Sequence, residues 1–325
     1  MIYIDINKSN IIEAREIHIK ELTPKILEKV NQSGDSNIKT IFTRKKIKLL
    51  LGAPPKRLLC INFLFLKKIL NNTQIQDLEE YIKKTKNFSS EEINLKNIFD
   101  PIKKELIKII DYDNFTEKKK TKYDAYDLAE KLDIPTCPYC GRMYTKTVGR
   151  KDKKRVTRPT FDHWFPRSKY PLLALSFYNL VPSCNVCNSS VKGDKDFSLK
   201  THFHPYHKVD DLKFTFSYDL DAYQKPRVKI LAEKGISKNS VEDFELEEIY
   251  KTHQDEVEDL LKIRQAYSEK YIEILNKTLE GANLTREEVY RLAFGAHLAE
   301  DKFDRRPLSK IKKDILTELG IVKLK

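Results

Sequence analysis

The arrangement of the cysteines constrains this chain more than any other feature of its sequence. Four of the five cysteines form two Cys-x-x-Cys pairs, Cys137/Cys140 and Cys184/Cys187. A set of four thiolates is a typical tetrahedral zinc site, and it leaves no coordination position open for water. The sequence therefore predicts a zinc ion with a structural role. The insert between the pairs is longer than in an ordinary zinc ribbon, which indicates that the zinc staples a further element.

A redox function is the alternative interpretation of the first cysteine pair. The four residues Cys137-Pro138-Tyr139-Cys140 are also the redox motif of glutaredoxins. A redox pair of this kind needs a preceding strand, a following helix and a thioredoxin-type sheet. Here Gly141 follows at once, a basic stretch comes next, and a second Cys-x-x-Cys pair has no place in that fold. Zinc is therefore favoured over redox chemistry.

The chain carries no segment that is typical of export or of membrane insertion. Residues 1–5 lack the basic flank and apolar run of a signal peptide. The longest apolar run, Leu58 to Leu66, is interrupted by Asn62, whereas a membrane span needs about 20 residues. We therefore expect a cytoplasmic protein without a membrane partner, in which paired cysteines bind metal rather than form disulfides. Cys60, inside this run, is expected to be buried.

Positive charge is concentrated in the part of the chain that holds the cysteine pairs. The formal net charge is +13, and residues 137–200 hold 13 Lys and Arg against 4 Asp and Glu. A basic run is often only a solvated face, but this one coincides with a set of metal ligands. It therefore favours a phosphate-binding surface. Only 9 glycines are present, which argues against an enzyme that binds nucleotides through a glycine-rich loop.

Hydrophobic periodicity predicts an α+β protein that is mostly helical. We predict a helical N-terminal domain (1–120) for recognition, partner binding or regulation, a zinc-containing core (121–210), and a C-terminal region of short strands and helices (211–325). Strict alternation predicts a strand at 213–218, paired with a neighbour at 228–231. A single long helix is expected over 241–279. Thr285 and Glu288 form a capping box that predicts the start of another helix.

The segment between and around the second cysteine pair resembles the HNH endonuclease family. The resemblance is carried by Asp162-His163, by Asn179-Leu180-Val181-Pro182-Ser183-Cys184, and by Cys187-Asn188 followed by Lys192-Gly193. Asn179 and Asn188 are nine positions apart, as in that family. The last motif position is Asn188 rather than histidine, a variant that the family also shows. The resemblance covers residues 137–197, about a fifth of the chain.

The resemblance implies a ββα-metal fold, in which a two-stranded hairpin packs on a helix, and it implies hydrolysis of phosphodiester bonds in DNA. His163 is then the general base, because an imidazole with a pKa near 6.5 suits proton abstraction at neutral pH. Asp162 and Asn188 offer oxygen ligands to a catalytic Mg²⁺ or Mn²⁺ ion. Asn179 is expected to fix the loop that holds His163.

Three basic residues near these motifs are candidates to neutralise phosphate in a nucleic acid: Arg167, Lys169 and Lys192. Lys192 is expected to share a helix face with Asn188. For each of the three, a solvated charge is the alternative interpretation.

At a finer level, the stretch from Asp162 to Cys187 resembles the HNH proteins of bacterial antiviral defence systems, such as the Septu type, more than it resembles homing endonucleases or colicins. That similarity implies an ATPase subunit as a partner. The substrate would be DNA or RNA. A different class of function remains open: a non-catalytic zinc module that binds nucleic acid without cutting it. Such a module would show salt-sensitive binding but no metal-dependent cleavage.

Overall fold

The computed structural model describes residues 1–70, 89–117, 123–149, 155–210, 212–266 and 284–322, together with the isolated positions 79, 82, 84, 87, 274 and 277. Within these residues, helices predominate and the strands form two-stranded antiparallel sheets. The predicted α+β class with a mostly helical chain is thereby confirmed. No helix in the described ranges combines the length and the apolar character that crossing a membrane requires.

The N-terminal region is organised around one long helix, α1. Its buried residues recur every three or four positions, from Ile11 and Ala14 through His18 and Leu22 to Val30, so one face meets the core. That face packs on α3 and α7 and also contacts α5. The helices of this region are α1 (Ser9–Gln32), α2 (Ser36–Ile41), α3 (Arg44–Gly52), α4 (Pro55–Ile69), α5 (Ser90–Ile110), α6 (Tyr112–Thr116) and α7 (Ala125–Leu132).

Helix α4 contains the apolar run Leu58 to Leu66, and it shows that the predicted burial of Cys60 is wrong. The helix begins at Pro55, where a proline costs no hydrogen bond. It buries Leu58, Ile61, Phe65 and Leu66, which share one face. Cys60 lies on the opposite face and is exposed. The run is apolar around most of the helix, so composition alone did not identify the buried face.

The centre of the molecule is a short hairpin followed by a helix. Strands β3 (Thr160–His163) and β4 (Leu180–Ser183) are antiparallel, with Thr160 opposite Ser183 and His163 opposite Leu180. The helix that follows, α8 (Val186–Lys192), is wound as a π-helix, in which the Gly193 N–H donates to the Asn188 carbonyl. Before this hairpin, β1 (Val148–Gly149) and β2 (Arg155–Thr157) form a separate small ribbon.

The C-terminal region begins with the pair of strands that the sequence predicted. Strands β5 (Phe214–Leu220) and β6 (Pro226–Ala232) are antiparallel, which confirms that prediction. The capping box is also confirmed, because Thr285 and Glu288 bond each other's backbone N–H at the start of α12. The helices here are α9 (Ile236–Asp243), α10 (Leu246–Tyr250), α11 (Gln254–Ala266), α12 (Arg286–Phe294) and α13 (Ser309–Glu318).

The prediction of a single continuous helix over 241–279 is wrong for the first part of that range. Glu245 has a φ of 49°, in the left-handed region, so the chain breaks between α9 and α10. A 3₁₀ turn, Lys251–His253, then separates α10 from α11. Most of 267–279 lies outside the described residues. The predicted domain limits stay a prediction. Packing crosses the predicted limit at residue 120, because α1 contacts α5 on the same side of that limit and α7 beyond it.

Candidate active site

Four cysteine side chains converge at the end of the central hairpin. Cys137 and Cys140 lie in a turn closed by hydrogen bonds, Cys184 directly follows β4, and Cys187 lies in the first turn of α8. All four are buried, and their Sγ atoms lie within 4.8 Å of one another, with Cys140 and Cys184 4.0 Å apart. Tetrahedral zinc with Zn–S bonds of about 2.3 Å places its sulfurs roughly 3.8 Å apart. The cluster therefore fits a zinc ion.

The first cysteine turn has the local features of a metal knuckle. The Gly141 N–H donates to the Cys137 carbonyl at 2.8 Å, and Gly141 has a φ of 67°, which glycine adopts without steric cost. The Cys187 N–H points to the Cys184 sulfur at 3.5 Å. Tyr250, from α10, donates its hydroxyl to the Cys140 carbonyl at 2.6 Å. The C-terminal region thus packs directly on the cysteine cluster.

Tyr139 connects the cysteine cluster to the hairpin. It lies between the two cysteines of the first pair, and its hydroxyl donates to Asp162 Oδ2 at 2.5 Å. Its ring stacks on Phe244, with centroids 4.4 Å apart. Tyr139 is fully buried, and its ring therefore has a packing role. Its hydrogen bond to a site carboxylate is an additional function that the sequence did not reveal.

Asp162 is a buried carboxylate with partners on both oxygens. Oδ2 accepts from Tyr139, and Oδ1 lies 3.2 Å from the ammonium of Lys192. Burial raises the pKa of Asp162, while the charge of Lys192 and the Tyr139 hydrogen bond act in the opposite direction. Each carboxylate oxygen has a second lone pair, so these contacts still allow one further ligand interaction.

Within the described part of the chain, one ring nitrogen of His163 has a hydrogen-bond partner and the other has none. Its Nε2 lies 3.0 Å from the backbone carbonyl of Ala174. A carbonyl oxygen can only accept, so Nε2 carries the proton and Nδ1 presents a lone pair. Burial lowers the pKa of His163 below its usual 6.5, so the imidazole is neutral at pH 7. A neutral imidazole with an open Nδ1 can accept a proton.

The side chain of Asn179 is used entirely within the protein. Its Oδ1 accepts from the Phe165 N–H at 2.7 Å, and its Nδ2 donates to the carbonyls of Phe165 and Leu173 at 3.1 and 3.0 Å. Its own carbonyl accepts from the Trp164 N–H. These bonds hold the chain directly after His163 to the start of β4. Asn179 therefore has the contacts that an orienting residue requires.

A cavity of about 430 Å³ brings together three of the residues singled out in the sequence, Asp162, His163 and Asn188. Arg167 also lines it, whereas Asn179 is not among its lining residues. Other side chains on its walls carry charge or aromatic surface: Tyr112, Asp113, Arg158 and Asp194. The site thus combines a neutral imidazole, oxygen donors and guanidinium groups around one space.

The three basic residues predicted to bind nucleic acid lie in different environments. Arg167 is half-exposed at the cavity, 2.6 Å from Asp113. Lys169 is mostly buried and pairs with Asp196 at 3.3 Å. Lys192 is fully buried, and its ammonium also donates to the His163 carbonyl at 2.8 Å. Of the three, Arg167 alone lines the cavity, and contact with nucleic acid stays a prediction for all of them.

Several residues on the cavity wall had no signal in the sequence. Tyr112 and Asp113 belong to α6, in a region without any chemical motif, and Arg158 belongs to a basic run that could equally be solvated. Their positions depend on how α6 and the β1–β2 ribbon pack around the hairpin. An aromatic or basic residue in such a segment could not have been assigned to the site without coordinates.

Comparison with known proteins yields one limited similarity. No protein-family model matches the chain, and no solved structure matches it significantly. Over 96 residues the chain is 31% identical to Protein ea31 of Escherichia phage lambda. The match covers 29% of this chain and 28% of that protein, so it spans less than a third of either.

Proposed function

We propose that this protein is a metal-dependent HNH-type endonuclease that hydrolyses phosphodiester bonds in DNA. The observation that carries the proposal is the cavity lined by Asp162, His163 and Asn188, where Nδ1 of His163 has no hydrogen-bond partner among the described residues. The order β3, β4, α8 with four clustered cysteines is consistent with a zinc-stapled ββα-metal core. Asn188 stands at the histidine position of the motif.

In this mechanism His163 takes the proton of the attacking water at Nδ1. The Ala174 carbonyl holds the Nε2 proton, so the ring keeps the tautomer that the step needs. The Asn179 hydrogen bonds fix the loop that follows, which limits rotation of the ring away from the cavity. A negatively charged phosphodiester nearby would raise the pKa of His163, because it favours the protonated ring.

Asp162 and Asn188 are the residues that would hold a divalent cation. Both are oxygen donors on one cavity, as Mg²⁺ and Mn²⁺ prefer. Such an ion supplies positive charge to the scissile phosphate and the departing oxygen. Tyr139 and Lys192 orient the Asp162 carboxylate, and Lys192 favours its ionised form. We therefore assign Lys192 to Asp162 rather than to the substrate phosphate.

Positive charge on the cavity wall would bind the substrate backbone. Arg158 and Arg167 both line the cavity, and guanidinium groups suit phosphate oxygens. The net charge of +13 attracts a polyanion over longer distances. The antiviral-defence setting and the ATPase partner rest on the sequence resemblance alone and remain part of the proposal.

One observation favours a second candidate, a non-catalytic zinc module that binds nucleic acid. Both oxygens of Asp162 already have protein partners, and one of those partners is a buried ammonium group. An aspartate in this position could serve only to hold α8 against β3. Such a protein would retain DNA binding that weakens with salt, but it would not cut DNA when a divalent ion is added.

Cleavage of supercoiled plasmid separates the two candidates. The zinc-loaded protein is incubated with Mg²⁺ or Mn²⁺, and a parallel sample receives EDTA just before the DNA. The proposal predicts nicked and linear products only with the divalent ion. Matched single-stranded DNA, duplex DNA and RNA oligonucleotides then define the substrate. Binding of duplex DNA without cleavage of any of these substrates would favour the second candidate.

A further inference from the structure

Residues 36–70, which form α2, α3 and α4, carry positive charge without any compensating acid. This segment holds nine lysines and arginines and no aspartate or glutamate: Lys39, Arg44, Lys45, Lys46, Lys48, Lys56, Arg57, Lys67 and Lys68. Eight of the nine are exposed and Lys46 is half-buried, and no ion pair joins any of them to another residue that the structure describes. Uncompensated charge of one sign attracts a partner of the opposite sign.

Helix α4 turns its four basic residues away from the core. Its buried positions share one face, from Leu58 through Ile61 and Phe65 to Ile69. The exposed positions on the opposite side form what we call the basic face of α4: Lys56, Arg57, Cys60, Leu64, Lys67 and Lys68. One pair of cations lies at each end of this face, and a rise of about 1.5 Å per residue separates the two pairs by about 16 Å. The basic face can therefore contact several phosphates of one nucleic acid.

Helix α4 packs on the chain that connects the two strands of the central hairpin. It contacts two 3₁₀ turns in this connection, Pro171–Leu173 and Phe177–Asn179. Phe63 of α4 packs edge-on against Tyr170, with ring centroids 6.5 Å apart. The same connection carries Arg167, which lines the cavity. The basic face and the cavity therefore lie on elements that pack on one another.

The composition of the basic face favours a nucleic acid over other anionic partners. A helix that lies on a lipid surface buries several large apolar side chains in it, whereas this face offers one leucine, Leu64. A protein partner with charges of both signs would be matched by acids as well as bases, and α4 has no acid. Duplex DNA carries one negative charge about every 1.7 Å along its axis. Its uniform charge is complementary to this face.

We propose that the basic face of α4 is a DNA-binding surface that holds the backbone of the duplex outside the cavity, independently of base sequence. Lys56 and Arg57 contact phosphates at one end and Lys67 and Lys68 at the other, and the bound duplex covers Cys60 between them. This inference rests on the proposed function for its ligand. It assigns substrate binding to the helical N-terminal region.

Fluorescence anisotropy with a labelled DNA duplex tests the inference in a full-length, zinc-loaded His163→Ala background. The test variant combines Lys56→Ala with Lys67→Ala, which removes one charge at each end of the face and keeps a strong helix former at both positions. The control variant, Lys225→Ala with Lys234→Ala, removes two exposed lysines that do not line the cavity. We expect the test variant to bind at least about tenfold more weakly, with a salt slope lower by about two. The control variant should bind within about twofold of the parent.

Cys60 gives a second measurement on the parent protein without changing the basic face. It is exposed, whereas the other four cysteines are buried. A duplex concentration of about 100 times Kd leaves about 1% of the protein unbound, so saturating DNA should slow maleimide modification of Cys60 by at least about tenfold. Cys60→Ser should lose the modification, which identifies the labelled residue.

Equal affinity and an equal salt slope in the test variant, the control variant and the parent would overturn the inference. Modification of Cys60 at the same rate with and without bound DNA would overturn it as well. Loss of binding to phosphatidylserine vesicles in the test variant, with unchanged DNA binding, would assign the face to a membrane instead.

The outcome is separable from the proposed function. Protection of Cys60 and weaker binding by the test variant support the surface even if the wild-type protein never cuts DNA. Cleavage by the wild-type protein, together with parental affinity in the test variant, leaves the nuclease proposal intact and removes the surface.

Discussion

Tyr112, in the N-terminal helical region, packs edge-on against His163, with ring centroids 4.4 Å apart and planes at 71°. Its hydroxyl also donates to the Phe161 carbonyl at 3.3 Å. The region that carries no motif thus supplies a wall of the candidate active site. The guanidinium group of Arg167 lies over the ring of Tyr112, 5.3 Å from its centroid. Tyr112 is therefore a positioning residue for both the proposed base and a proposed phosphate contact.

Removing the Tyr112 ring should slow cleavage more than it weakens binding. Tyr112→Ala removes the packing on one side of the His163 ring and leaves the Nε2 bond to the Ala174 carbonyl to position it, and a small misplacement of a base can cost up to about a hundredfold in rate. Tyr112→Phe keeps the ring and should stay within about threefold of the wild type. Single-turnover cleavage rates and anisotropy measure the two effects separately. A fall in affinity with an unchanged rate in Tyr112→Ala would contradict the positioning role.

The buried pair of Asp162 and Lys192 should behave as one stabilising unit. Lys192→Met leaves the Asp162 carboxylate buried without its cation, which costs about 3 kcal/mol or more of unfolding free energy. Asp162→Asn combined with Lys192→Met should recover part of that loss, because no uncompensated charge remains. Urea unfolding of the two single variants and the double variant measures the coupling. Additive losses would contradict the pairing.

The cysteine cluster should bind one zinc ion per chain. Cys187→Ser is expected to lose the zinc and to lower the free energy of unfolding by several kcal/mol, because the ion ties the first knuckle to the start of α8. Cys60→Ser is the matched control, since Cys60 is exposed and lies outside the cluster. Elemental analysis and thermal unfolding provide the two measurements. Full zinc content in Cys187→Ser would contradict the four-cysteine assignment.

The burial of His18 predicts that the protein loses stability in mild acid. Its Nε2 donates to the Leu175 carbonyl at 2.8 Å, its Nδ1 accepts from Tyr123, and burial lowers its pKa to about 4. The unfolded chain, with a pKa near 6.5, binds the proton first. The contribution of the neutral, buried His18 to the free energy of unfolding is therefore complete above pH 6.5. It is lost as the pH falls towards 4, which lowers the free energy of unfolding by at most about 3 kcal/mol.

The His18→Gln variant isolates this contribution from that of other titrating groups. Its unfolding free energy should decrease less between pH 6.5 and pH 5 than that of the wild type. Denaturant unfolding at a series of pH values gives the two slopes. Equal slopes for the two proteins would show that His18 does not titrate as its burial requires.

The sequence predicted the parts of the site that depend on local spacing. The two cysteine pairs are close together as expected, and Asp162, His163 and Asn188 share a cavity. Spacing could not show that Lys192 turns inward to Asp162, because sharing a helix face does not determine which face is buried. Tyr112 was not found for a related reason. Its place beside His163 depends on the packing of α6, and no local pattern encodes that packing.

The central claim is tested most directly by the single-turnover rate of duplex DNA cleavage in Mg²⁺ or Mn²⁺, compared between His163→Ala and a matched histidine variant. His297→Ala is suitable because His297 does not line the cavity. We predict that His163→Ala cleaves at least about a hundredfold more slowly while it retains its zinc and binds DNA normally, and that His297→Ala cleaves at the wild-type rate. Cleavage by His163→Ala at the wild-type rate would contradict the account.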